Sequence, residues 1–156
     1  ITQSLAQQAA RHHATRALDL LDTYWRRLAA HGGLPQWSAV DPGAIQDALD
    51  HAFLAERYGH CHARIRTAGG AIAEAAGTDC TGFALSLLVC PEGRSAFNDA
   101  LSACCENRDP VALDITTVHG SRAKIVLYPL IDRSGRVTQL LGGLALETMV
   151  KQSHPA

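Results

Sequence analysis

Three apolar stretches in direct succession close the chain, and they constrain its fold more than any other feature. Val111, Leu113, Ile115 and Thr117 alternate with Ala112, Asp114 and Thr116; Ala123 to Ile131 is more uniformly apolar; Arg136 to Glu147 completes the set. The turns between them are short: His119-Gly120-Ser121 and Asp132-Arg133-Ser134-Gly135. Period-two alternation bounded by turn residues reads as strands, and strands joined by tight turns pair antiparallel. A three-stranded meander has an apolar face that other elements must cover.

The residues before the meander supply the cover. From Ser4 to His31 there is neither Pro nor Gly, and Ala14, Ala17, Leu18, Leu21, Tyr24, Trp25 and Leu28 recur with helical spacing. Arg11, Arg16, Asp19, Asp22, Arg26 and Arg27 fall off that stripe, and Gly32-Gly33 ends it. This is a long amphipathic helix. Its stripe, Leu18, Leu21, Tyr24, Trp25 and Leu28, either folds back onto the domain or forms an interface with a second copy or a partner. Asp41-Pro42 marks the start of a second, short helix with Ile45, Leu49 and Phe53 on its inner face. An extended stretch from Phe53 to Tyr58 and a strand from His60 to Ala68 follow. Helices are expected at Ala71 to Ala76, at Phe83 to Val89 and after Pro91, where Phe97, Leu101 and Cys104 share a face.

Helix, helix, two strands, a helical middle and a three-strand meander make an α+β architecture, in the element order of a PAS domain. The expected fold is a five-stranded antiparallel sheet, order 2-1-5-4-3, with the helical middle arched over one face. The expected organisation is an N-terminal helix over 1–33, a PAS-like domain over 34–150 and a polar, frayed tail over 151–156. Specific residues carry the likeness further: Leu34-Pro35, Val40-Asp41-Pro42, Phe53-Leu54, Arg64-Ile65-Arg66-Thr67-Ala68-Gly69, Gly77 to Gly82, Tyr128-Pro129-Leu130 and Leu141-Gly142. In this order they resemble the bacterial PAS_5 family, common in alphaproteobacteria, from about Tyr24 to Leu146. Gly70 departs from the family, which usually has threonine there. The resemblance implies a sensor or docking module and supplies no catalytic residues.

Composition excludes several function classes. The 14 Lys and Arg against 15 Asp and Glu leave a net charge of -1, and 5% of residues are aromatic, so nucleic acid has neither a basic nor a stacking surface to meet. No run approaches the roughly 18 apolar residues of a membrane span, and Ile1 to Arg11 lacks the order of a signal peptide. Five cysteines (Cys61, Cys80, Cys90, Cys104 and Cys105) without a CxxC pattern read as reduced, packed thiols in a cytoplasmic protein.

Chemistry has few candidates. His60 and His62, with His51 upstream, would share one strand face at metal-ligand spacing, yet no second ligand cluster matches them, so they are weak candidates. Haem in a PAS domain calls for an axial histidine, and none lies between Phe83 and Arg108. A flavin photoreceptor needs Asn-Cys-Arg-Phe-Leu, whereas Cys80 lies in Thr-Asp-Cys-Thr-Gly. No cofactor is therefore required. His119 has no local nucleophile signature, and Gly69-Gly70 lacks the lysine of a phosphate loop. The remaining candidate is a pocket between helices and sheet, lined by Ile65, Ile72, Phe83, Leu87, Phe97, Leu101, Leu113, Ile115, Leu127 and Leu144, with Arg66 or Arg64 as the polar group for an acidic ligand. The simpler expectation for the same side chains is plain core.

Two function classes follow. The leading expectation is a non-enzymatic module acting through protein contact, by homodimer or partner, with a small ligand biasing that contact. The alternative is a sensor whose main task is binding a metabolite or metal.

Overall fold

The computed structural model describes residues 4–147; the polar tail expected from Lys151 lies outside them. Helix α1 (Leu5–Ala29) starts at Ser4, whose hydroxyl accepts from the Gln7 backbone while the Gln7 side chain accepts from the Ser4 amide. That reciprocal cap satisfies two otherwise orphaned donors. A connector leads to a 3-10 segment, Pro42–His51, broken by non-helical backbone at Ile45, where one short regular helix is expected. Strands β1 (Ala52–Tyr58) and β2 (His62–Ala68), helix α2 (Gly70–Ala76), helix α3 (Arg94–Asn107) and strands β3 (Val111–Thr116), β4 (Arg122–Ile131) and β5 (Val137–Leu146) follow.

The five strands form one antiparallel sheet in the order β2-β1-β5-β4-β3, the order expected from the sequence. Helices α2 and α3, with the short turn at Leu85–Leu88, cover its inner face around Phe53, Ile65, Ile72, Phe97, Leu127 and Leu144. The outer face is covered too. Helix α1 lies over Ala52, Val126, Tyr128, Leu130, Leu141 and Ala145, with Ile45 and Ala48 at its flank. This second layer explains why Ala123 to Ile131 lacks alternation: β4 is buried on both faces from Ile125 to Leu130, and a strand buried on both faces reads as a continuous apolar run.

Two glycines make room for the two layers. A side chain at Gly142 would strike the Phe53 ring on the inner face. A Cβ at Gly143 would lie 2.6 Å from Leu21 and 2.7 Å from Leu18, so the missing methyl lets α1 settle onto β5. Burying a leucine there contributes roughly 1.5–3 kcal/mol. Polar contacts then fix the angle of the helix. Trp25 donates its indole N–H to the Pro129 carbonyl at 3.0 Å, Tyr128 donates to Asp22 at 3.0 Å, and the Tyr24 hydroxyl accepts from the Asp41 amide at 2.7 Å.

The stripe expected as a candidate interface is thus used inside the chain: Leu18, Leu21, Tyr24 and Trp25 are buried on its own sheet, and Leu28 is partly buried. The physical reason is the apolar outer face of β4 and β5, which needs a cover as much as the stripe does.

Cys80, Cys104 and Cys105 are buried, and burial pushes all three thiols up, Cys104 to about 12. Burial and the neighbouring Asp22 carboxylate push the Tyr128 hydroxyl up as well.

Two predictions follow from this packing. Leu21→Ala, at a side chain 0% exposed, lowers the unfolding free energy by about 2–5 kcal/mol in urea denaturation. Leu20→Ala, one position earlier and 36% exposed, changes it by less than about 0.5 kcal/mol; equal effects would contradict the docking of α1. The second concerns alkaline pH. The unfolded chain releases the Cys104 proton from about 9, whereas the folded chain holds it to about 12, so the unfolded state binds fewer protons in that window and stability falls as pH rises through it. The urea midpoint at about pH 10.5 is therefore lower than at about pH 8, and Cys104→Ala reduces the difference.

Candidate functional site

The inner face holds most of the expected pocket lining as packed core. Ile65, Ile72, Phe97, Leu101, Leu127 and Leu144 are at most 1% exposed and belong to one apolar cluster. Phe83, Leu113 and Ile115 are partly buried against it. Two members do not belong there. Leu87 is 42% exposed, because Leu85–Leu88 is a 3-10 turn whose three-residue period sends Leu85 and Leu88 inward and Leu87 out. Arg66 is exposed and pairs with Glu56 at 2.8 Å, while Arg64 lies over the Tyr58 ring at 4.7 Å, so neither guanidinium faces the core.

A cavity of about 200 Å³ lies elsewhere, beneath the first half of α1. Gln7, Arg11 and Ala14 form its roof, His51 and Leu144 line it from the sheet side, and Glu74 reaches it from α2. His51 bonds the Leu144 carbonyl through Nδ1 at 3.2 Å, and its ring sits 5.6 Å from that of His13. Leu144 alone of the expected pocket lining borders this space. The two halves of α1 therefore differ. Every residue from Leu5 to His13 is exposed, whereas Ala14, Ala17, Leu18, Leu21, Tyr24 and Trp25 are buried. Gln7 and Arg11 lie four apart on one face of α1, but His51 and Glu74 come from two other places in the chain, so no local pattern marks the group; His51 alone attracts notice, as a neighbour of the His60 cluster.

The histidines expected as weak metal candidates are not on one strand face. His60 and Cys61 lie in the turn before β2, and His60 pairs with Glu106 at 2.9 Å. His62 stacks on Tyr58 with ring centroids 5.7 Å apart, and its Nε2 lies 3.9 Å from the Cys61 sulfur. Among the described residues no three His, Cys, Asp or Glu side chains gather as a metal-binding group. His119 donates from Nε2 to the Ala76 carbonyl at 3.0 Å, which ties the β3–β4 turn to the end of α2. Among the described residues no helix is long and apolar enough to cross a membrane.

Solved structures with the same architecture are PAS and light-oxygen-voltage domains. The PAS domain of a protein from Colwellia psychrerythraea superposes with a TM-score of 0.56 at 14% identity, covering 66% of this chain and 93% of that one. The N-terminal domain of a diguanylate cyclase with a PAS/PAC sensor, from Marinobacter aquaeolei, gives 0.52 at 14% identity, covering 62% and 94%. A light-oxygen-voltage domain studied with a flavin analogue gives 0.55 at 16% identity, covering 67% and 82%. At these identities the likeness shows the fold alone. No curated protein matches the chain. The PAS_5 family model, described as a PAS domain, matches residues 10–145, taking in most of α1 and all of the sheet but the last residue of β5. The chain belongs to this family of PAS domains.

Proposed function

We propose that this PAS domain is a non-enzymatic sensing module that signals by protein contact, with α1 as its movable part and a small molecule beneath the first half of α1 as its input. The observation that carries this reading is the division of α1 into an exposed half over a cavity of about 200 Å³ and a buried half seated on the sheet. That volume lies below the roughly 300–1,000 Å³ of pockets for drug-sized ligands, so the input is a small metabolite. A ligand touching Gln7 and Arg11 on one side and His51 and Glu74 on the other contacts the helix and the domain together. Its affinity differs between docked and released α1, and that difference is what shifts the equilibrium.

Release of α1 would uncover Val126, Tyr128, Leu130 and Leu141 along with its own stripe. An apolar patch of that kind is covered by another protein surface, and a second copy of the chain offers matching ones. A net charge of -1 puts little repulsion in the way of self-association.

Gly143→Val tests the reading, because the new side chain occupies the seats of Leu18 and Leu21. We expect protease cleavage inside residues 14–25 and a dimer mass by light scattering, with the far-ultraviolet circular dichroism of the sheet retained. A released α1 with an unchanged monomer mass would contradict signalling through self-contact.

A further inference from the structure

At the opposite end of the sheet three arginines line one open cleft of about 350 Å³: Arg57 on β1, Arg108 just after α3 and Arg136 just before β5. Gly59, Cys105 and Thr138 are among their neighbours there, and among the described residues no carboxylate lines the cleft. We propose that this cleft binds a small anion through a phosphate or carboxylate group, independently of α1 and its cavity.

Two of the guanidiniums, those of Arg57 and Arg108, are held by neutral groups. Arg57 donates from Nη1 to the Val137 carbonyl at 3.3 Å and from Nη2 to the His60 carbonyl at 3.0 Å, while its Nε is buried with no hydrogen-bond partner. Arg108 donates from Nη1 to the Gly135 carbonyl at 2.8 Å. Carbonyls orient an arginine without cancelling its charge. Among the described residues none of the three forms an ion pair. Glu106 pairs with His60, and Asp132 accepts from the Ser134 amide and hydroxyl and from the Arg136 amide. These bonds, with the Arg136 charge as a smaller cause, hold the Asp132 carboxyl below the usual range, so Arg136 is the one cleft arginine with a carboxylate near it. Arg108 and Arg136 are exposed, but Arg57 is partly buried, and its orphaned N–H without a paired carboxylate is unfavourable unless an anion completes it.

Arg108 adds a second, independent indication. It caps α3 in the left-handed region, φ 57, and is the one non-glycine residue with positive φ among those described. Glycine is the common occupant of such a position, and a residue with a Cβ there is strained by roughly 1–2 kcal/mol. The strained backbone aims this side chain at the turn where Arg136 sits. Planar forks arranged around one opening suit the bidentate geometry of phosphate or carboxylate.

Calorimetric titration and thermal unfolding of the full chain, with inorganic phosphate in one arm and succinate in the other against chloride at equal ionic strength, test the site. We expect saturable binding and a raised Tm in at least one arm, and the arm that responds names the group. Arg136→Gln, whose side chain holds no backbone carbonyl, should weaken binding about tenfold or more and leave the unliganded Tm unchanged. Arg122→Gln, on β4 away from the cleft, should leave binding as in the wild type. Amide shifts on titration should centre on Gly59 and Thr138. No saturable binding in either arm, equal weakening by both variants, or shifts centred elsewhere would each overturn the proposal.

Discussion

The seat of α1 on β5 is the contact on which the rest of the structure depends. At Gly143 a missing side chain lets Leu18 and Leu21 reach the strand, and the adjacent Gly142 does the same for Phe53 from the other face. Consecutive strand residues point to opposite faces, so these two positions put the inner and outer layers in contact with one short piece of β5. With both faces covered, β4 and β5 lie between two apolar clusters, and the indole of Trp25 and the hydroxyls of Tyr24 and Tyr128 set where the outer layer rests. A change in packing on either side meets the other across a single strand.

This arrangement gives the proposed switch its physical form. The buried half of α1 supplies the docking energy, and the exposed half extends past it over a cavity bordered by polar groups from the domain. Binding there acts at the end of the helix least held by the sheet. The arginine cleft lies at the far end, around the turns that join β1 to β2 and β4 to β5, so the two candidate sites are separate in both place and chemistry.

Much of the fold was legible before the structure. Alternation at Val111 to Thr117, the turn residues around Gly120 and Gly135, and the three-and-four spacing of Leu18 to Trp25 each state a local rule that the structure keeps. The outer layer was legible only in part: uniform burial of β4 was written in Ala123 to Ile131, but a sequence does not say whether α1 or another molecule covers it. Leu87 faces out rather than into the core because a 3-10 turn and an α-helix share an apolar run while turning it by different angles. The candidate sites were not legible. Gln7, His51 and Glu74 meet only through the docking of α1, and Arg57, Arg108 and Arg136 meet only because β1 and α3 end and β5 begins at the same end of the sheet.

Hydrogen exchange along α1 at two protein concentrations tests the central claim most directly, since it reports whether the helix is seated on its own sheet. Amides from Ala17 to Trp25 should be protected like those of β5, with the same protection after about a hundredfold dilution. Exchange as fast as in an isolated helix, or protection lost on dilution, would contradict docking within the chain.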